Sequence, residues 1–538
     1  MAPGCTAMAP KAVASILIGL AALLALSLLL GLPAVPGDML GPDHRGPVLE
    51  LSALLAIALL LPRRPGKKAI WVLAVLCWLI LLLRLADLVT VMTAGRPFEP
   101  AFDPALAPAL WDVVMRGSGA VPMVAAIGAA LVLLLFICRW LLDVMLRTPP
   151  LPRGPFLSIL AVLTLVTMQP LDRGPIGAVW DQGRRWQEGE ALAAQMVTTL
   201  AEDPVARPTK DHLFAALRGR PIILAWVESY GQSALTDPRQ ADIVGNRLDQ
   251  LQRMLTQAGF HIRSGLVESP VIGGRSWLAH GTLRAGIRQD QPLAQRMVLA
   301  SGQCGMVCAL NRAGWRTWAA MPGLSLPWLE GPAWGFDKVM NRASFTYAGP
   351  SYGWSPIPDQ ALLASLSPDW SGPRPLYLEI VLTSSHAPWT PLPPWRPYSQ
   401  GLIDGSAYAD ADSDADYTDM GAAYGRSLDY SLRALGDWVM QEVPDDALIV
   451  VLGDHPALDW ISSGQENRVP VHILSRDPSL LDRLNGLDLQ HGMRPGIGAK
   501  SMPMWEIFPT LLARFGPLPP QTPSTRDEMP NKAGEAVP

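Results

Sequence analysis

Three apolar runs in the second half of the chain end on side chains that can do chemistry. "PIILAWVES" (221–229) delivers Glu228, "PLYLEIVLTSSHAPW" (375–389) delivers His386, and "ALIVVLGDHP" (447–456) delivers Asp454 and His455 side by side. A carboxylate next to an imidazole at the end of so apolar a run is a poor way to build a core, because burying charge is costly unless it is paired. Acids and imidazoles arriving together from separate runs suit a divalent metal with oxygen and nitrogen ligands, zinc or manganese. Singly, Glu228 could cap a helix and His386 could be an ordinary loop histidine; their common position at run ends argues for a shared site.

"SPVIGGRSWLAHGTLRAGI" (269–287) offers such a site a nucleophile. Paired glycines let a backbone turn tightly and approach a ligand. Ser276 follows them at the predicted start of a helix, where amide donors and the helix dipole favour a phosphate. Coordination to a metal would lower its pKa and activate it. Serine is also a common helix N-cap, and from this segment alone capping is the stronger reading.

Five short apolar runs bounded by Pro, Gly or charge read as strands that would carry these groups: 221–229, 316–321, 375–385, 447–454 and 468–475. Between them, "NRLDQLQRMLTQAG" (246–259), "AQRMVLASGQCGMVCALNRAG" (294–314) and "YGRSLDYSLRALGDWVMQEV" (424–443) space apolar residues at helical intervals. The alternation predicts an α/β domain, a mainly parallel sheet sandwiched by helices. In such sheets a ligand lies beyond the carboxyl ends of the strands, where Glu228, His386, Asp454 and His455 fall.

The first part of the chain reads as built for another solvent. Of the 538 residues, 49% are hydrophobic and 17% charged, and the apolar excess lies before residue 171. Five stretches are candidates to cross a hydrocarbon core: 12–32, 48–62, 69–92, 119–138 and 155–170. Basic residues gather in "PRRPGKK" (62–68) and at Arg139, Arg147 and Arg153, which puts those two connections in the cytoplasm and everything after about residue 171 outside. The expected organisation is a transmembrane domain (1–170), a linker helix (171–215), a catalytic domain (216–516) and a disordered Pro-rich tail (517–538). The net charge of -4 gives no sign of a nucleic-acid partner. In an oxidising compartment Cys304 and Cys308 could pair if a helix starts or bends between them, or they could remain free buried thiols. "DADSDAD" (410–416) alternates carboxylates but lacks the Gly and Glu of a calcium loop, so it reads as a solvated acidic loop.

At these residues the chain resembles the alkaline phosphatase superfamily, in the sulfatase-like branch that holds lipoteichoic acid synthase and the phosphoglycerol and phosphoethanolamine transferases. "VESYGQS", "GGRSWLAHGTLRAG", "GWRTWAAM", "GFDKV", "LTSSHAPW", "VVLGDHP" and "MWEIFPTLL" are similar to that branch's motifs and keep their order, from about 220 to 515. The resemblance implies metal ligation by Glu228, Ser276, Asp454 and His455. It also implies attack on phosphorus by Ser276, and a phosphoryl group bound or protonated by His386. It implies a phospholipid donor, an exported glycan or lipid acceptor, and a multi-pass protein of the bacterial inner membrane with a periplasmic catalytic domain. The same residues with water as acceptor would make a phosphatase or phosphodiesterase, and a catalytically silent cell-envelope scaffold is a further alternative. Ser276 stands where the branch more often has Thr, His280 where many members have an acid, and Met321 near a position where some have a substrate-contacting His. The segment after Ser276 lacks the Pro and Arg of formylglycine sulfatases, which disfavours sulfate-ester hydrolysis.

Overall fold

The computed structural model describes residues 10–30, 65–94, 98, 103, 111, 120–147, 191–201, 211–303, 305–326, 328, 330–410, 415–462 and 467–517. The expected spans at 48–62 and 155–170, the tail after 517, residues 171–190, Cys304 and residues 411–414 lie outside these.

Among the described residues three apolar helices come first: α1 (Pro10–Leu30), α2 (Lys67–Ala94) and α3 (Ala120–Arg147). They pack on one another through Leu26, Ile70, Ala74, Leu81, Cys138 and Leu142, while Leu17, Val72, Leu76, Leu133 and Phe136 face outward. Apolar side chains on both faces suit a hydrocarbon surround. Among the described residues, two segments, Lys67–Thr90 and Val124–Leu146, are long and apolar enough to cross a membrane.

A mixed sheet carries the rest of the molecule. Its strands are β1 (Ile222–Val227), β2 (His261–Glu268), β3 (Arg316–Ala320), β4 (Lys338–Met340), β5 (Leu376–Leu382), β6 (Leu448–Gly453), β7 (Arg468–Ser475), β8 (Gln490–His491) and β9 (Met502–Pro503). They lie in the order β4-β3-β5-β1-β6-β7-β2-β8, with β9 beside β2. From β4 to β6 every pairing is parallel. β7 is antiparallel to both β6 and β2, so β2 again points the way β1 does. The parallel expectation therefore holds for the half that contains β1, β5 and β6, and the far edge departs from it. All five expected strands form, and β2, β4, β8 and β9 are additions.

Both faces of β1 are buried, as a central parallel strand requires. Ile223, Ala225 and Val227 enter one core, with Val244, Leu248 and Leu251 of α5 (Ala241–Gln257) and Leu428, Leu432 and Trp438 of α9 (Met420–Glu442). Ile222, Leu224 and Trp226 enter the other, with Leu278 and Leu283 of α6 (Ser276–Ala285), Val307 and Leu310 of α8 (Met306–Ala313), and Phe508. The α4 helix (191–200) lies within the expected linker and packs Met196 among Ala285, Ile287, Ala294 and Val298.

The helical pattern at 294–314 is interrupted. α7 (Pro292–Ser301) ends at Gly302, at φ 67°, and α8 starts after Gly305, where any Cβ would collide with the Arg284 carbonyl. Cys308, in α8, is disulfide-bonded.

Candidate active site and metal centre

Register alone brings the acids together. Val227 at the end of β1 pairs with Gly453 at the end of β6 and with Leu382 at the end of β5, so Glu228 and Asp454 leave adjacent strands at the same level. Position 453 must be glycine: a Cβ there would run into the Tyr230 carbonyl. Ser229 adopts φ 58°, a left-handed conformation uncommon for a residue with a side chain. That turn aims its amide at Asp454 Oδ1 (2.8 Å) and its hydroxyl at Glu228 Oε1 (3.1 Å). Tyr424 of α9 donates to the Ser229 carbonyl at 2.6 Å, and Ser385 donates to the Glu228 carbonyl at 2.6 Å, which fixes the strand end from two sides.

Ser276 arrives from the turn after β2. Gly273, Gly274 and Arg275 have φ of 55°, 61° and 58°, a run that reverses the chain just before α6. The capping position is occupied by Arg275, and Ser276 is the first helical residue. Its hydroxyl does not cap the helix: Oγ lies 3.1 Å from Glu228 Oε2 and 3.2 Å from His455 Nε2. The capping reading, the stronger one from the segment alone, gives way to this geometry.

Glu228, Asp454 and His455 are all buried, and one ligand atom from each falls within a 4.8 Å cluster. His455 Nδ1 pairs with the Pro456 carbonyl at 2.8 Å. A carbonyl only accepts, so Nδ1 carries the proton and Nε2 faces the cluster, the orientation a metal-ligating histidine takes. Asp454 Oδ1 is satisfied by the amides of Ser229 and His455, at 2.8 and 2.7 Å, whereas the buried Oδ2 has no hydrogen-bond partner. An orphaned carboxylate oxygen and an imidazole lone pair that converge next to a second carboxylate fit a divalent cation.

The electrostatics agree. Burial, and then the charge of Glu228, push the Asp454 carboxyl up to about 7. Burial works against the charged form of Glu228 too, but the hydrogen bond from His455 and the charges of His386 and His455 overcome it and hold this carboxyl below the usual range. Burial would also depress His455, yet Asp454 and Glu228 draw it up to about 9. A pocket that attracts a proton this strongly has excess negative charge, which a bound cation would neutralise.

Three residues singled out in the sequence stand apart from the cluster. His386, half-buried, bonds through Nδ1 to the Ala387 carbonyl at 2.7 Å and stacks on Trp354, ring centroids 5.1 Å apart. His280 is buried against Trp226 at 4.2 Å, and its Nε2 has no partner. Met321 is part of the apolar core. The sequence reading missed Ser229, Ser385 and Tyr424, which act through backbone geometry that residue types do not announce.

No family model matches the chain, and no curated protein does. Among solved structures the chain is similar to the lipoteichoic acid synthase LtaP of Listeria monocytogenes, at 18% identity and TM-score 0.36 over 57% of this chain and 74% of that one. It is similar to a Vibrio parahaemolyticus protein of the alkaline phosphatase superfamily, at 16% identity and TM-score 0.36 over 56% and 66%. It is also similar to the C-terminal periplasmic domain of EcEptC from Escherichia coli in complex with zinc, at 13% identity and TM-score 0.36 over 56% and 83%.

Proposed function

We propose that the chain is a membrane-anchored, metal-dependent phosphotransferase. It moves a phospholipid head group, phosphoglycerol or phosphoethanolamine, to an exported glycan or lipid through a phospho-Ser276 intermediate. The observation that carries this reading is the convergence of Ser276 Oγ, Glu228 and His455 Nε2 within 3.2 Å of one another beside the unpartnered Asp454 Oδ2.

Glu228, Asp454, His455 and Ser276 would hold a zinc or manganese ion. When bound, it would supply positive charge that favours the serine alkoxide and offsets charge on the phosphoryl oxygens. Glu228 and His455 hold the Ser276 hydroxyl in place and can take its proton. Ser276 Oγ forms the bond to phosphorus as the bond to the diacylglycerol oxygen breaks, and that oxygen leaves as an alcohol once protonated. His386, on the loop after β5, would hydrogen-bond the phosphoryl group. The acceptor hydroxyl then attacks phosphorus, gives up its proton and releases Ser276. Phosphoryl transfer asks a protein mainly for position and charge, which the end of this sheet offers. The apolar stretches before residue 171 anchor the enzyme in the membrane that holds its donor, with five crossings and the sheet domain on the periplasmic side.

Incubating the full chain in detergent with labelled phosphatidylglycerol or phosphatidylethanolamine, with and without glycan, tests the proposal. Label should appear on Ser276 and pass to the glycan, and Ser276→Ala should abolish turnover while weakening metal binding. Full activity in Ser276→Ala would defeat the assignment, and release of the head group to water alone would make the protein a hydrolase.

A further inference from the structure

Exposed apolar side chains on the sheet domain are not spread evenly. Among the described residues from 211 onward, eight large apolar or aromatic residues are exposed. Seven lie in connections that leave the carboxyl edge of the sheet, the edge that carries Ser276, Glu228 and Asp454. Ile272 and Trp277 flank the Ser276 turn after β2, Leu326 follows β3, Trp354 lies between β4 and β5, and Trp460 follows β6. Tyr398 and Tyr417 lie in the long β5–α9 connection, and only Ile497, in the β8–β9 connection, stands elsewhere.

Contacts tie this rim to the site. Trp354 stacks on His386 at 5.1 Å, and Trp460 packs on Trp389 at 5.7 Å, whose indole donates to the Ser385 carbonyl. Ile272, Trp277, Leu326, Trp354 and Trp460 are between 37% and 53% exposed, although they come from four separate connections at positions a polar residue could occupy. Clustered exposed apolar surface marks an interaction face. Three of the five are indoles, the side chain enriched where apolar and aqueous phases meet. The same chain supplies two helices able to cross a membrane, which would tether this domain close to a bilayer.

We infer that the carboxyl-edge rim is a membrane-docking surface: Ile272, Trp277, Leu326, Trp354 and Trp460 enter the head-group layer, so that the site mouth opens onto the lipid surface. The inference deepens the proposed function, since a lipid donor would then reach Ser276 without leaving the bilayer.

The test uses the full chain in lipid nanodiscs, with Cys5, Cys77 and Cys138 replaced by Ala and a nitroxide label placed at Ile272→Cys, at Trp460→Cys or at Asp446→Cys. Asp446 is exposed in the turn before β6, at the opposite edge of the sheet. Collision rates with oxygen, which concentrates in lipid, and with a water-soluble nickel complex report depth. The ratio of oxygen to nickel collisions should be several-fold higher at Ile272 and Trp460 than at Asp446. Equal, aqueous ratios at all three overturn the inference. So does shielding of the rim labels in detergent with spin–spin broadening, which would mark a second copy as the occupant, or shielding only on addition of a soluble oligosaccharide, which would mark a glycan platform. Depth is read without turnover or metal. A rim that docks on an enzyme that fails to use lipid would sink the donor assignment alone, and a water-exposed rim on an active transferase would sink the docking alone.

Discussion

The helix that presents Ser276 is fastened to the sheet by one buried ion pair, and breaking that pair should be costly. Arg284, in the last turn of α6, donates to Glu379 of β5 at 2.5 Å, with side chains 2% and 0% exposed. The carboxylate also accepts from the Trp226 indole and the Tyr377 hydroxyl, both at 2.9 Å. The guanidinium is stacked among Trp328, Trp334 and Phe336, each 5.4 Å away. Replacing Glu379 by Leu strands a guanidinium away from water, at a cost of about 3–5 kcal/mol. It also leaves two donors without their acceptor, at roughly 1–3 kcal/mol each where they stay dry. Arg284→Leu strands the carboxylate for a similar loss of about 3–5 kcal/mol. The double variant removes both charges, so it should cost less than the sum of the singles by at least about 2 kcal/mol. Urea unfolding of the full chain in detergent, followed by the near-ultraviolet circular dichroism of the buried tryptophans, measures all four corners of the cycle. Single losses below about 1 kcal/mol, or a double variant that is simply additive, would refute the idea that this pair holds α6.

Other perturbations have defined signs. His472 is buried, and burial pushes its pKa down from 6.5 to about 3; Tyr230 lies 3.1 Å from Nε2 and Ser264 2.8 Å from Nδ1. Its neutral form is the one that fits, so its contribution is whole above pH 6.5 and is lost as pH falls through about 3, by at most about 5 kcal/mol at roughly 1.4 kcal/mol per unit. A His472→Gln chain should show a flatter urea midpoint between those values, and an unchanged acid limb would contradict this. Gly453→Ala drives a methyl into the Tyr230 carbonyl and should cost about 1–3 kcal/mol in thermal unfolding and weaken metal uptake as Asp454 shifts; wild-type values for both would show that the strand end is more forgiving. With Asp454 pushed up to about 7 and His455 to about 9, a cation must displace protons, so its affinity should rise from pH 7 to pH 9 and calorimetry in buffers of different ionisation enthalpy should detect proton release. An affinity that is flat with pH would argue against ligation by this pair.

The sequence made Glu228, Asp454 and His455 legible because each sits where an apolar run stops, and a parallel sheet turns such positions into neighbours. The β1–β6 register then places Glu228 and Asp454 side by side, a match no composition reveals. Ser276 was ambiguous for a physical reason: a serine that starts a helix can cap it, and three left-handed residues before it decide the matter. β2 escaped notice because its interior holds the polar Ser264. That residue is fully buried opposite His472 in the β2–β7 register, where each satisfies the other. β7 was found, but its antiparallel direction depends on where the chain leaves β6, which local pattern does not encode. At 294–314 apolar periodicity runs through a break that Gly302 and Gly305 impose. Ser229, Ser385 and Tyr424 were invisible for a related reason: what they do rests on one backbone torsion and two contacts between residues distant in the chain.

The most direct test is metal content. Purified full chain, dialysed against zinc or manganese and analysed by mass spectrometry of its elements, should retain one ion per chain. Asp454→Asn and Glu228→Gln should lose that ion while keeping the near-ultraviolet spectrum of the folded sheet domain. A wild-type chain that retains no ion, or variants that hold it as tightly as the wild type, would contradict the account at its centre.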